Sequence, residues 1–366
     1  MSLRIALIGD AQSTHLLKWG RTLARVPQLE LWVASSRGFL PEFDALLPPH
    51  RRLALDFNIA PGGGNVALLA ALPALGAWLR RVDADWVQAH YLTSHGTLAW
   101  LAKRLWRLRG QLIGSAWGSD ILVAPARSLL YRGLTRRVLG ACRLCTSDSV
   151  HMAQRMRELG AGEVMTFAFG LEKLPPASGP KDPWLFFANR ALEPLYGPER
   201  VLALFARVAR RHPQARLVIA NDGSLACTLA GRATALGLTV GSLDRGQQVE
   251  FAGRLGETAQ ATWYARAQWY LSLPGSDSVS VSLLEALAHG CIPLLSDLPA
   301  NREWIRDGEN GLIVSDAGSF DPGTLDSLLQ RARPIAALNR ARIERDGLFA
   351  PAVACFLQRV RELTPS

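Results

Sequence analysis

Two carboxylates eight residues apart, Asp277 and Glu285, are the side chains of this chain best spaced to do chemistry together. They flank a turn crowded with Ser276, Ser278, Ser280 and Ser282, which follows an apolar run at 269–273 ended by Pro274-Gly275. Val279, Val281, Leu283, Leu284, Leu287 and Ala288 then recur with helical spacing until Gly290, and a second apolar run occupies 292–295. Eight residues put Glu285 about two turns beyond Asp277. The amides of the helix start lie between the two acids, where a phosphate can be held. One acid before a phosphate-binding turn and another two turns in suit a ligand with hydroxyls on both sides of its phosphates. A nucleotide sugar is such a ligand. Taken singly, Asp277 is an ordinary helix cap and Glu285 a solvated helix residue; the combination is what points to a site.

The same stretch resembles the signature of the GT-B retaining glycosyltransferases of family 4 (group 1), in which two acids eight apart bracket a Gly-Phe-Gly turn, the second acid opening Glu-Ala-hydrophobic-Ala-x-Gly-x-Pro. The match runs through Asp277, Glu285, Ala286, Leu287, Ala288, Gly290 and Pro293. It departs at the first acid, which is Asp, and at Ser278 and Ser280, where the family usually has glycines. Further matches lie upstream. Arg190 follows an apolar run at 184–189 and takes the place of the family's diphosphate-binding arginine, a role suited to a forked guanidinium. The lysine often found six residues later is Tyr196 here. Asn221-Asp222-Gly223 and the run 249–254, ending in Gly253-Arg254, resemble the turns that meet the nucleoside.

The resemblance implies roles for each of these residues. Glu285 would bind the ribose hydroxyls, and Asp277 the hydroxyls of the transferred sugar. Arg190 and the amides of Ser278, Val279, Ser280, Val281 and Ser282 would offset charge developing on the diphosphate. Gly9, Asp10, Asn221, Gly223, Gly253 and Arg254 complete the expected donor contacts. In the first half, 9–15, 88–92 and 115–120 end strands on one face. Asp277, Arg190, His90 and Asp120 are the expected catalytic set, with Ser13, His15, Tyr91 and Trp117 toward the acceptor. Trp117 stands where relatives often place a histidine. No metal and no cofactor is expected, the nucleotide-diphosphate sugar being substrate.

Positioning these residues calls for alternating strands and helices. Strands are expected at 3–9, 29–35, 86–89, 111–115 and 143–147, with helices through 16–26, 66–79 and 98–108; a glycine-rich loop is expected at 61–64, and a long loop at 116–125. A proline-rich, aperiodic stretch at 170–183 reads as a linker. A second series follows, with strands near 184–189, 216–220 and 248–252 and helices at 198–211, up to 236 and at 258–267. The fold class is therefore α/β, two Rossmann-like doubly wound domains, and the GT-B resemblance sets them facing each other across a cleft. The expected domains are 1–175 for the acceptor and 176–366 for the donor, with a C-terminal helix at about 350–364 crossing back.

With 49% apolar and 20% charged residues the chain is of ordinary globular type. The longest apolar run, 66–79, contains Pro73 and is too short to span a bilayer. The N-terminus MSLRIALIGD reads as a first strand, and five scattered cysteines are consistent with reduced thiols, so the cytoplasm is the expected location. Gly9-Asp10-Ala11-Gln12-Ser13 is not a dinucleotide fingerprint, and neither a P-loop nor a Gly-x-Ser-x-Gly elbow occurs. The formal charge of +10 is uneven: residues 1–175 hold 21 Lys and Arg against 12 Asp and Glu, and the rest 20 against 19. Such asymmetry points to a polyanionic surface. An anionic membrane, met peripherally at its inner face by the basic segments 98–109 and 127–137, is the expected partner, and nucleic acid is not, because no basic-aromatic module is present. The resulting expectation is a hexosyltransferase of glycolipid, polysaccharide or other glycoconjugate synthesis, using a nucleotide sugar and a glycan or lipid-linked acceptor. A nucleotide-sugar epimerase of the same fold, a nucleic-acid binder and a scaffold are the alternatives.

Overall fold

The computed structural model describes residues 2–56 and 66–364; the expected loop at 61–64 lies outside them. The chain forms two compact units, residues 1–168 with 350–366, and residues 169–349. In the first, seven strands, β1 (Leu3–Gly9), β2 (Leu29–Ser35), β3 (Arg52–Ala54), β4 (Trp86–His90), β5 (Gln111–Ser115), β6 (Leu144–Ser147) and β7 (Val164–Thr166), are ordered 3-2-1-4-5-6-7. Every pairing is parallel. In the second, β8 (Asp182–Ala188), β9 (Arg216–Ala220), β10 (Val249–Gly253), β11 (Ala267–Ser272), β12 (Ile292–Ser296) and β13 (Leu312–Val314) are ordered 10-9-8-11-12-13, again all parallel.

Parallel strands covered on both faces need continuous apolar sequence, and β4 and β11 are buried at every residue. Each sheet reverses its strand order once, between β1 and β4 and between β8 and β11. Ligands of open α/β sheets bind beyond the carboxyl ends of the strands at such reversals. Gly9 and His90 end the first pair, and the chain leaving the second pair carries Arg190 and Asp277.

The structure corrects several boundaries. Residues 172–181, expected as linker, belong to the second unit. Lys181 donates to the carbonyls of Tyr264 and Ala267 at 2.7 and 2.9 Å, and Arg340 to that of Pro175 at 2.6 Å. The helix expected over 66–79 is a 3-10 turn, Val66–Ala71, followed by an α-helix, Leu72–Val82, because Pro73 fits only a first turn. The loop expected at 116–125 contains short helices, Ser119–Leu122 and Ala124–Arg127. The C-terminal helix Phe349–Leu363 carries the chain back to the first unit. There Phe356 meets Trp19 edge-on at 5.4 Å, and Arg359 forks onto Glu163 at 2.7 and 3.0 Å. Among the described residues, no helix is long and apolar enough to cross a membrane.

Candidate functional site

The second unit gathers the strongest set of polar groups around the β8–β11 reversal. Arg190, just past β8, donates from Nη2 to Asp277 Oδ2 at 2.6 Å, with both side chains about one-fifth exposed. Burial raises the Asp277 carboxyl, opposed by the guanidinium and by the Ser278 amide that Oδ1 accepts at 3.0 Å. The Tyr196 ring lies under the same guanidinium, its centroid 4.5 Å from Cζ, within cation–π range. What holds Tyr196 there is local. Its 3-10 turn, Pro194–Tyr196, closes on Gly197 at φ +60, where a Cβ would come within 2.4 Å of the Leu273 carbonyl oxygen. The Gly275 amide donates to Leu195 O at 2.8 Å, fastening this turn to the loop that carries Asp277.

The helix Val281–Ala288 begins beside that loop. Ser280 caps it in extended conformation, φ −75, its Oγ accepting from the Leu283 amide at 3.2 Å. Neither Ser278 nor Ser280 has a positive φ, so the exchange of glycine for serine carries no strain here. The first-turn amides of Val281 and Ser282 point out of the helix start, as in any α-helix. Glu285, half-buried about one turn into the helix, accepts a hydrogen bond from the Tyr264 phenol at 3.1 Å.

Tyr264, Asn189, Gln260 and Tyr270 carry no signature in the sequence, yet they tie the site together. Asn189 donates from Nδ2 to Gln260 Oε1 at 2.6 Å and to Tyr264 Oη at 2.7 Å, and its Oδ1 accepts from Tyr270 Oη at 3.3 Å. The Tyr264 hydroxyl also reaches the Ser282 carbonyl at 3.1 Å. Burial, then the Glu285 charge, push the Tyr264 phenol well above its ordinary range, so it stays a donor. A run of contacts thus links Asp277 through Arg190 and the adjoining Asn189 to Tyr264 and Glu285. The one available sequence signal was the polar Asn189 directly after the apolar run 184–188.

Asn221 and Gly253 meet at the ends of β9 and β10, the Asn221 amide donating to Gly253 O at 2.6 Å. Asn221 has φ +96, tolerated because its side chain accepts from the Asp222 amide and donates to Asn189 O. A Cβ on Gly223 would lie 2.5 Å from the Leu192 carbonyl oxygen. Arg254 is exposed.

In the first unit, the expected residues split into those facing the reversal and those holding it. His90 is buried, edge-on to Trp19 at 5.4 Å, and its Nδ1 accepts from Trp117 Nε1 at 3.2 Å. The ring proton therefore sits on Nε2, which has no partner among the described residues. Burial first, and the neighbouring His95 and His15, lower its pKa to about 3, so the imidazole is neutral. His15 is exposed and lies over Trp117 at 4.7 Å; one indole thus orders both histidines. Gly9 allows the close approach of Leu16 and His90.

Asp120 does not fit the catalytic part expected of it. It is fully buried, and its two oxygens accept from the amides of Leu92 at 2.8 Å and Trp117 at 3.0 Å. Burial raises it to about 6 against those bonds. It fastens one loop to the other and is a positioning residue. Asp10 is paired with Arg37, Ser13 caps the helix Thr14–Ala24, and Tyr91, at φ +72, hydrogen-bonds Ser119 through its phenol. Among the described residues, no three His, Cys, Asp or Glu side chains come together as a metal site would require.

Residues 172–321 match the family described as glycosyl transferases group 1, and residues 4–149 match glycosyl transferase 4-like. The chain is 27% identical over 338 residues to phosphatidyl-myo-inositol mannosyltransferase of Mycobacterium tuberculosis, covering 84% of this chain and 85% of that one. Among solved structures, Anabaena HepE in complex with UDP-glucose superposes with a TM-score of 0.77 at 14% identity, covering 99% of this chain and 100% of that one. Sucrose-phosphate synthase from Thermosynechococcus elongatus does so with a TM-score of 0.76 at 16% identity, covering 99% of each chain.

Proposed function

The chain belongs to the glycosyl transferases of group 1, with a GT4-like match in its first half and a group 1 match in its second, and from that premise we propose that its donor is a nucleotide-diphosphate sugar. The sugar passes, with retention at its anomeric carbon, to a hydroxyl of a glycan or lipid-linked acceptor. The observation that carries this reading is the Arg190–Asp277 pair at the β8–β11 reversal, with Glu285 tethered about one turn into the adjoining helix. Arg190 spends Nη2 on Asp277 and keeps Nε and Nη1 for phosphate oxygens. Asp277 then takes the hydroxyls of the transferred sugar and Glu285 those of the ribose. Asn221, Gly223, Gly253 and Arg254 bound the nucleoside end.

In the transfer, the bond from the anomeric carbon to the diphosphate breaks as the acceptor oxygen bonds that carbon. The acceptor proton leaves with the diphosphate. Arg190 and the amides of the helix start offset the charge that grows there, and such preorganised donors are commonly the largest part of catalysis. His90 is neutral with its proton on Nε2, so at the end of β4 it is a hydrogen-bond donor and not a cation. The UDP-glucose complex of HepE supports the donor class, and the mannosyltransferase relative named for phosphatidyl-myo-inositol supports a lipid-linked acceptor.

A thermal-shift panel of UDP-, GDP-, ADP- and dTDP-sugars tests the donor, because a ligand that prefers the native state raises its melting temperature. One of them should stabilise the protein, and Asp277→Asn and Glu285→Gln should stay folded while losing most transfer. Near-normal turnover in both variants would overturn the site. Loss of anomeric configuration in the product, read by NMR, would overturn retention.

A further inference from the structure

We propose that the outward face of the helix Leu129–Ala141 docks this protein on an anionic lipid bilayer. The proposal deepens the acceptor reading above by naming where the lipid phase is met. Leu129 and Leu130 are 84% and 80% exposed, more than any other large apolar side chain described. They stand in the first helical turn, which is fixed because Ser128 Oγ accepts from the Tyr131 amide at 3.2 Å. Thr135, Val138 and Leu139 form the buried side of the helix. At 100° per residue, Leu129, Arg132, Gly133, Arg136, Arg137 and Gly140 share the opposite side. All six are exposed. A Cβ on Gly133 would meet nothing within 4 Å, so between the arginines the backbone lies open to close approach.

The charge says what lies opposite. No Asp or Glu occurs from 121 to 147, while Arg127, Arg132, Arg136, Arg137 and Arg143 do. No carboxylate among the described residues pairs with Arg132, Arg136 or Arg137. The unit bearing this helix holds 22 Lys and Arg against 12 Asp and Glu, and the other unit 19 against 19, so the whole net charge of +10 lies on the unit with the exposed leucines. Exposed leucines beside Arg132, Arg136 and Arg137 match a layer with anionic headgroups over hydrocarbon.

The neighbouring basic segment is excluded by the same geometry. In the helix Thr97–Trp106, Trp100, Leu101 and Trp106 pack on the core, with Leu108 just beyond, and only Leu105 of its large apolar residues is exposed. Trp106 lies over Gly76, where a Cβ would approach within 2.4 Å. Its apolar face is already occupied.

Vesicle flotation of the full chain without donor or acceptor tests the proposal independently of the transfer reading. Binding should appear with phosphatidylcholine containing phosphatidylglycerol, not with phosphatidylcholine alone, and should weaken with salt. Leu129→Ser with Leu130→Ser should abolish it. Arg132→Ser, Arg136→Ser and Arg137→Ser together should lower affinity on the order of a hundredfold, each arginine near an anionic surface contributing roughly fivefold. Leu105→Ser should bind as the parent does. Binding indifferent to phosphatidylglycerol, or a double-leucine variant that still floats, would overturn it. So would sizing that shows a dimer dissolved by the leucine changes, or nucleic-acid binding lost with the arginines, because either names a different occupant. Donor-dependent thermal shift in the same variants should be unchanged; its absence in the parent would count against the donor reading and leave the flotation result standing.

Discussion

Replacing Tyr264 by Phe removes one oxygen from the centre of the proposed donor site and leaves the ring that fills the space. The phenol accepts from Asn189 Nδ2 at 2.7 Å and donates toward Glu285 Oε2 and Ser282 O, both at 3.1 Å. Tyr264 is 1% and Asn189 6% exposed, so water does not replace the lost acceptor. A buried donor left unmade costs about 1–3 kcal/mol. For a unit of this size, each kcal/mol lowers Tm by about 2–4 °C, which predicts a fall of roughly 2–12 °C. Glu285, half-buried, recovers water but loses its tether. If Glu285 holds the ribose equally in ground and transition states, donor KM rises about tenfold, equivalent to about 1.4 kcal/mol, while kcat stays nearly constant. Initial-rate kinetics with varied donor read both terms. In a Glu285→Gln background the further effect of Tyr264→Phe on KM should largely vanish, since the two act as one unit. A variant that melts lower but binds donor as the parent does, or strictly additive KM effects, would refute the reasoning.

Tyr196→Leu should weaken nucleoside diphosphate binding about 3- to 30-fold, the range of a cation–π contact at a partly desolvated guanidinium, while Tyr196→Phe retains it and monophosphate affinity scarcely moves; calorimetric titration with both ligands decides. Gly223→Ala should destabilise by about 1–3 kcal/mol because its Cβ would lie 2.5 Å from the Leu192 carbonyl oxygen, read as a lower urea midpoint at unchanged slope. Acid should weaken the fold. His90, His95 and His289 are held at about 3, 4 and 4, chiefly by burial, so below pH 6.5 the unfolded chain takes up protons that the folded chain refuses. Each histidine removes up to about 1.4 kcal/mol per pH unit until its folded pKa is reached. Asp120, raised to about 6, acts oppositely between about 6 and 3.8, where the folded chain is protonated first. Three histidines outweigh it, so the urea midpoint should fall from pH 6.5 to 4, and His95→Gln should flatten the slope.

Much of the fold was legible because most strand residues are buried and so read as short, largely apolar runs: β2, β5 and β9 coincide with the residues expected of them. Short edge strands did not read, since β3 has three residues, none of them buried. The spacing of Asp277 and Glu285 and the place of Arg190 after an apolar run were likewise local facts. What tertiary structure alone decided was which groups meet. The β8–β11 reversal brings Arg190 onto Asp277 across 87 residues, and a buried phenol on another helix holds Glu285. It turned Asp120 inward and set Tyr196 under the guanidinium. It also showed which basic segment keeps a pair of leucines in water: in 98–109 Trp100, Leu101 and Trp106 pack on the core, whereas in 127–137 Leu129 and Leu130 are exposed. Periodicity along a chain records which side of an element is apolar. Whether that side is covered, and by what, depends on neighbours distant in sequence, and that information exists only once the sheets have closed.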